Sequence, residues 1–196
     1  MKKYFTILLI ILSSLNFGKE LPSDKARGFF LAIGVGPRLP VFDFATSSEL
    51  GYGFNLELSY TDNEYLPFFI FSKIGFETFP GSNDFYKTTD YSNFSTNVLP
   101  INLGIRYFFP PVLEQIVLII PFSEFSFAYS YYEKLHQFKS GTGKSNFLES
   151  NSKIGFSAGA GISMFLTEFL VTYNYYTDNQ FVGFDLKVRL PLFISF

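Results

Sequence analysis

Residues 50–60 read Leu50-Gly51-Tyr52-Gly53-Phe54-Asn55-Leu56-Glu57-Leu58-Ser59-Tyr60. A large apolar side chain stands at every second position, and Gly, Asn, Glu and Ser fill the places between. Successive side chains of a strand point to opposite faces, whereas a helix repeats every 3.6 residues, so this run is a strand with two unlike faces. The end of the chain repeats it: Val182, Phe184, Leu186, Val188, Leu190, Leu192, Ile194 and Phe196 alternate with Gly183, Asp185, Lys187 and Arg189. Leu99, Ile101, Leu103, Ile105 and Tyr107 oppose Asn102, Gly104 and Arg106. Ile154, Phe156, Ala158, Ala160 and Ile162 oppose Gly155, Ser157, Gly159 and Gly161.

Extended along the chain, the pattern predicts eight strands, at about 27–36, 49–60, 68–79, 97–109, 118–132, 152–165, 168–176 and 181–195. The connections 80–96 and 133–151 are long and polar. Those at 61–67, 110–117 and 166–167 are short. Long loops at one end and tight turns at the other describe an even-stranded antiparallel barrel with both termini at the tight end. Amphipathic helices are not expected.

Period two does not say which face is wet. A narrow barrel interior cannot hold several Phe, Tyr, Leu and Ile from every strand, whereas Gly, Ser, Ala and Asn fit there. The bulky set is therefore expected outside, against lipid. A sheet that crosses a bilayer must close so that no backbone group faces hydrocarbon. Tyr52, Tyr60, Tyr107, Tyr131, Tyr132, Tyr175 and Tyr176 fall near strand ends, where a ring with one polar tip suits the lipid–water boundary. A soluble barrel or sandwich is the competing arrangement. Pro100, Pro121 and Pro191 fall within expected strands and point to bulges or strand ends.

In strand number, loop layout and final strand, the chain resembles the small eight-stranded bacterial outer-membrane barrels, the OmpA-like, OmpX-like and opacity-type proteins. The resemblance implies an all-β fold: an eight-stranded antiparallel transmembrane β-barrel with short periplasmic turns and longer extracellular loops, located in the cell outer membrane. It implies outer-membrane lipids, the barrel insertion machinery and periplasmic chaperones as partners. It also implies that Phe196, closing an alternating strand, is the insertion signal.

Composition agrees. The 196 residues include 28 Phe and 13 Tyr but no Trp and no Cys, and only 16% are charged. That excludes disorder, a disulfide scaffold and a cysteine-based zinc site. With 17 acidic and 15 basic side chains, the chain lacks the basic excess of a nucleic-acid binder. Lys2 and Lys3 precede an apolar run from Tyr4 to Leu12 and small residues to Gly18, the layout of a secretory signal peptide. Residues 1–18 are read as that signal and 19–196 as the barrel domain, which then carries a formal charge of −4.

On the small-residue faces fall Glu57, Lys73, Glu77, Arg106, Glu124, Asp185, Lys187 and Arg189, four acids and four bases. Charges enclosed in a narrow barrel must pair, because unpaired burial is costly. They are expected to form a salt-bridged plug, and an ion-conducting lumen is the alternative. Gly143-Lys144-Ser145 looks like the end of a phosphate-binding loop, but Phe138 stands where the first glycine is needed. Asn93-Phe94-Ser95 matches a glycosylation sequon without further support. His136, the one histidine, would need a serine beside it for lipid hydrolysis. It is read as an exposed loop residue. No cofactor, metal or catalytic residue is expected. The function expected is structural or surface-interactive, carried out by a monomer, with Tyr91, Phe94, His136 and Phe138 as loop contacts for an external ligand that the sequence does not name. The alternatives are a narrow pore for ions or small solutes and an outer-membrane lipid hydrolase.

Overall fold

The structure, a computed structural model, describes residues 27–62, 65–112 and 118–195. The expected signal at 1–18 and Phe196 lie outside the described residues. Eight strands follow in order: β1 (Arg27–Val41), β2 (Gly51–Asp62), β3 (Phe69–Pro80), β4 (Tyr91–Phe108), β5 (Ile119–Phe138), β6 (Phe147–Met164), β7 (Thr167–Tyr176) and β8 (Gln180–Ser195). Two short helices, α1 (Phe44–Ser47) and α2 (Asn83–Thr88), interrupt the connections at the loop end, where no helix was expected. Each strand pairs antiparallel with the next, and β1 pairs with β8, so the sheet closes into a barrel. Among the described residues, no helix is long and apolar enough to cross a membrane.

The two faces separate by size. On β2, Gly51, Gly53, Asn55, Glu57 and Ser59 are buried, and Tyr52, Phe54, Leu56 and Leu58 point outward. Ile33, Ile74, Leu103, Phe127, Val171 and Leu186 continue the outward apolar band around the barrel. The interior leaves no room for larger side chains at the glycines. A Cβ on Gly34 would come within 2.8 Å of the side chains of Asn55 and Lys187, and one on Gly53 within 2.6 Å of the Arg38 guanidinium.

Four strands outrun their expected ends toward the loops by several residues, and β2 runs two residues further toward the turns. β1 continues to Val41, β4 begins at Tyr91, β5 ends at Phe138 and β6 begins at Phe147. Much of the expected loops at 80–96 and 133–151 is therefore paired strand: Asn97 faces Glu133, which faces Ser150, and Ser95 faces Leu135. Beyond the apolar band both faces of a strand can be polar, so period two fades while the pairing persists.

Tyr132 and Tyr176 are a second departure. Both are buried inside the barrel, their ring centroids 5.7 Å apart, rather than at its outer surface. Each follows another tyrosine, and alternation sends one of two consecutive rings inward. Two of the three strand prolines sit where pairing gives way, while Pro121, near the start of β5, stays in register opposite Ile162. Phe29 faces Phe193 while Phe30 faces Pro191, which leaves Leu192 as the extra residue of a bulge. The β3–β4 pairing lapses between Ile74 and Glu77, opposite Pro100.

Candidate functional site

Polar residues inside the barrel form two connected clusters. In the lower one, toward the turn end, the Glu57 carboxylate accepts from Lys187 Nζ at 2.8 Å, Arg106 Nη2 at 2.9 Å and Arg189 Nη2 at 2.8 Å. Arg106 Nε donates to Glu124 at 3.0 Å, and Lys73 lies 3.7 Å from the same carboxylate. Arg189 Nε donates to Glu168 at 2.6 Å. In the upper cluster Arg38 donates to Glu77 at 2.9 Å and to Asp185 at 2.8 Å, and Asn55 donates to Asp185 at 3.0 Å. All eight charged residues named from the sequence lie in these clusters.

Two members escaped the sequence reading. Arg38 lies beyond the expected end of the first strand, on the parity of Gly34 and Gly36. Glu168 is the second residue of β7, on the face opposite Phe169. Either was detectable had parity been carried to the strand termini. With them the interior holds five acids and five bases: Arg38, Lys73, Arg106, Lys187 and Arg189 against Glu57, Glu77, Glu124, Glu168 and Asp185.

Aromatic layers close both ends of this column. Toward the loops, Phe44, Phe79, Val98, Tyr132, Tyr176 and Phe181 form one buried cluster. Toward the turns, Phe30, Phe69, Phe108 and Phe122 make a chain of rings with successive centroids 5.0–5.6 Å apart. The Arg106 guanidinium sits 4.8 Å from the Phe122 centroid and 5.3 Å from that of Phe71, an arrangement favourable for cation–π attraction. Between the layers lies a cavity of about 10 Å³ lined by Arg38, Asn55, Glu77 and Asp185, room for about one water molecule.

A second constellation stands above the apolar band, where β4, β5 and β6 rise together past their neighbours. Its inner face gathers the four residues expected to be loop contacts, all of which lie in strands. Tyr91 stacks on Phe138 with centroids 4.7 Å apart, and its hydroxyl meets His136 Nδ1 at 3.0 Å. Phe94 packs against the imidazole edge-on, and Phe147 stacks on it at 4.3 Å. His136 Nε2 meets the Glu149 carboxylate at 3.1 Å. The histidine is 7% exposed, not an open loop residue, and its ring nitrogens face a phenol and a carboxylate rather than a serine. Sequence reasoning missed the burial because the β5–β6 pairing was drawn too short.

The tip of this extension is tied by charges. Lys139 Nζ donates to the carbonyls of Tyr86 and Thr89, and Lys144 donates to Asp90 at 2.7 Å. The Lys144 hydrogen bond, with its charge, holds the Asp90 carboxyl below the usual range and raises Lys144 itself. Among the described residues no group of three or more His, Asp or Glu is placed to hold a metal ion.

No protein-family model matches the chain, and no curated protein matches it. Among solved structures it is similar to neisserial surface protein A, with 10% identity over 84% of this chain and 97% of that one and a TM-score of 0.46. It is also similar to Ail, the attachment invasion locus protein of Yersinia pestis. There the identity is 12%, over 85% of this chain and 99% of that one, with a TM-score of 0.46. The structure of the Yersinia pestis outer membrane protein Ail in a phospholipid bilayer nanodisc gives 16% identity over 83% and 99%, with a TM-score of 0.41.

Proposed function

We propose that the protein is a non-conducting outer-membrane barrel that carries the β4–β6 extension as a surface-interaction platform. The observation that carries this reading is a barrel turned inside out: a continuous apolar exterior around an interior of paired charges. In water that exterior would be an aggregation surface far larger than soluble proteins tolerate. In a bilayer it is the required lipid contact. The apolar band stops at a common level toward the loops, where outward positions become Thr78, Asn97, Glu133 and Ser152. Above that level stand the extension and the longer connections, placed outside the cell. The turns and both termini are placed in the periplasm.

Residues 1–18 serve as the export signal, and Phe196 as the mark read by the insertion machinery after transfer by periplasmic chaperones. The barrel acts as a monomer. A pore would need a continuous water path through the aromatic layers and ion pairs, and hydrolysis would need a serine at His136, so neither alternative gains support. The test is heat-modifiable gel migration of the membrane fraction, together with labelling of whole cells at a cysteine placed at Gly141. Compact migration and surface labelling are expected. A refolded chain that stays soluble and monodisperse without detergent would overturn the reading.

A further inference from the structure

The chain has 13 tyrosines, one histidine and no tryptophan or cysteine. Its phenols are therefore the side chains that yield most readily to a one-electron oxidant, and one of them meets the imidazole. Tyr91 Oη lies 3.0 Å from His136 Nδ1, and His136 Nε2 lies 3.1 Å from the Glu149 carboxylate. These partners fix the tautomer. An ionised carboxylate only accepts, so the single N–H of the neutral ring sits on Nε2, and Nδ1 presents its lone pair to the phenol. Tyr91 thus donates to a base whose far side is held by a negative charge, the order of hydroxyl, imidazole and carboxylate that activates a hydroxyl in hydrolases. Other tyrosine hydroxyls meet weaker bases. Tyr60 donates to the Asp62 carboxylate at 3.1 Å, Tyr86 to the Phe94 carbonyl at 2.8 Å and Tyr129 to Ser152 at 2.9 Å.

Burial decides what this arrangement is for. Group transfer to Tyr91 would need a reagent at the hydroxyl, which points into a cluster where His136 and Phe94 are both buried. Electron loss needs no such access, because an electron crosses packed rings. Phe85 and Phe138 stack on the Tyr91 ring with centroids 5.2 and 4.7 Å away, and a phenyl ring is far harder to oxidise than a phenol. We propose that Tyr91 is a site of reversible one-electron oxidation, with His136 as its proton acceptor and Glu149 as the positioning residue. The oxidant, of the class of high-valent metal complexes, takes one electron from the phenol. The O–H bond breaks in the same step, and the proton passes to the lone pair of His136 Nδ1. A neutral phenoxyl radical then faces an imidazolium whose Nε2–H stays on Glu149. Without a base the product would be a phenol radical cation, a far less accessible state. One electron from a reductant draws the proton back and restores the site. The chemistry is independent of the membrane orientation proposed above.

The full chain in detergent micelles is oxidised with flash-generated tris(bipyridine)ruthenium(III), and phenoxyl formation is followed by transient absorption. A fast phase from Tyr91 is expected, absent in Tyr91→Phe. His136→Phe keeps Tyr91 and a ring beside Phe147 but removes the base, and it should slow the phase at least about tenfold. Added imidazole should restore it in His136→Gly. Glu149→Gln should slow it as well, and Glu149→Asp should recover it. Heat-modifiable migration shows that each variant has kept its barrel. The wild type gives a second measurement that needs no variant. At substoichiometric oxidant, peptide mapping should find Tyr91 modified ahead of Tyr65, although Tyr65 is 71% exposed. A fast phase unchanged in His136→Phe, one that imidazole does not restore in His136→Gly, or wild-type product at Tyr65 before Tyr91 overturns the proposal.

Discussion

Glu57 shows what a single interior residue carries. It is fully buried and meets three cations, Lys187, Arg106 and Arg189. Its neutralisation strands their charge where water cannot replace it, a situation that costs about 3–5 kcal/mol. Glu57→Gln is expected to lower the unfolding free energy in micelles by that amount, seen as a lower urea midpoint, against a negligible change for Ser150→Ala on the exposed part of β6. A Glu57→Gln midpoint equal to the wild type would show that the interior is wet enough to screen its charges. Phe165 is a second isolated case. It begins the two-residue link between β6 and β7 with φ of 53°, a region costly for side chains with a Cβ, and is 80% exposed. Phe165→Gly and Phe165→Ala lose the same ring, but only glycine relieves the backbone. The glycine variant should be the more stable by about 1 kcal/mol, and equal stability would remove strain from the account.

At the level of elements, the chain divides into a part written in its alternation and a part that is not. The strand count and the inward set Glu57, Lys73, Glu77, Arg106 and Glu124 were legible because lipid outside and crowding inside impose opposite demands on neighbouring residues. Above the membrane level that contrast ends. Ser95, Thr96 and Glu133 stay paired, but nothing in their polarity announces a strand, and so Tyr91, Phe94 and His136 read as loop residues. Arg38 was lost to a strand end drawn too early, and Glu168, the first residue of its expected strand, because parity was not carried to that terminus. The extension has its own stability. Gly141 and Gly143 take positive φ in the exposed tip between β5 and β6, the natural place for a protease to cut. Limited proteolysis should cleave within 139–146 and leave two fragments that still migrate together as folded barrel, since β5 and β6 remain paired below. The tie between Asp90 and Lys144 responds to acid. The Asp90 carboxyl is lowered in the folded chain, so its contribution is present above the ordinary carboxylate range and is lost as pH falls through the depressed value. The protection factor for amide exchange at 139–146, taken relative to the intrinsic rate at each pH, should fall over that acid window in the wild type and stay constant there in Asp90→Asn. An unchanged profile in the variant would assign the loosening to another group.

The whole barrel is sealed redundantly, and this governs what it does to a membrane. An ion crossing it would meet the cluster of Phe79, Tyr132, Tyr176 and Phe181, then two sets of ion pairs, then the rings around Phe122. The opposed charges hold one another, and with five of each sign the column offers no net field to draw ions of either sign. Bilayers containing the purified wild-type protein should therefore show no steady conductance. Opening one layer should not change this. Arg38→Ala dissolves the upper cluster but leaves the Glu57 cluster and the aromatic floor. Phe79→Ala thins the loop-side cap but leaves the ion pairs. Both variants are expected to remain silent, although each loses stability through the cavity or the unpaired carboxylates it leaves. Only removal at every level together, as in Phe79→Ala combined with Arg38→Ala, Arg106→Ala and Phe122→Ala, should yield a leak, and it should arrive with a large loss of stability because the same side chains fill the interior. Reproducible conductance from the wild type, or from Arg38→Ala alone, would mean that the interior rearranges in the bilayer, and it would replace the sealed platform with a gated pore.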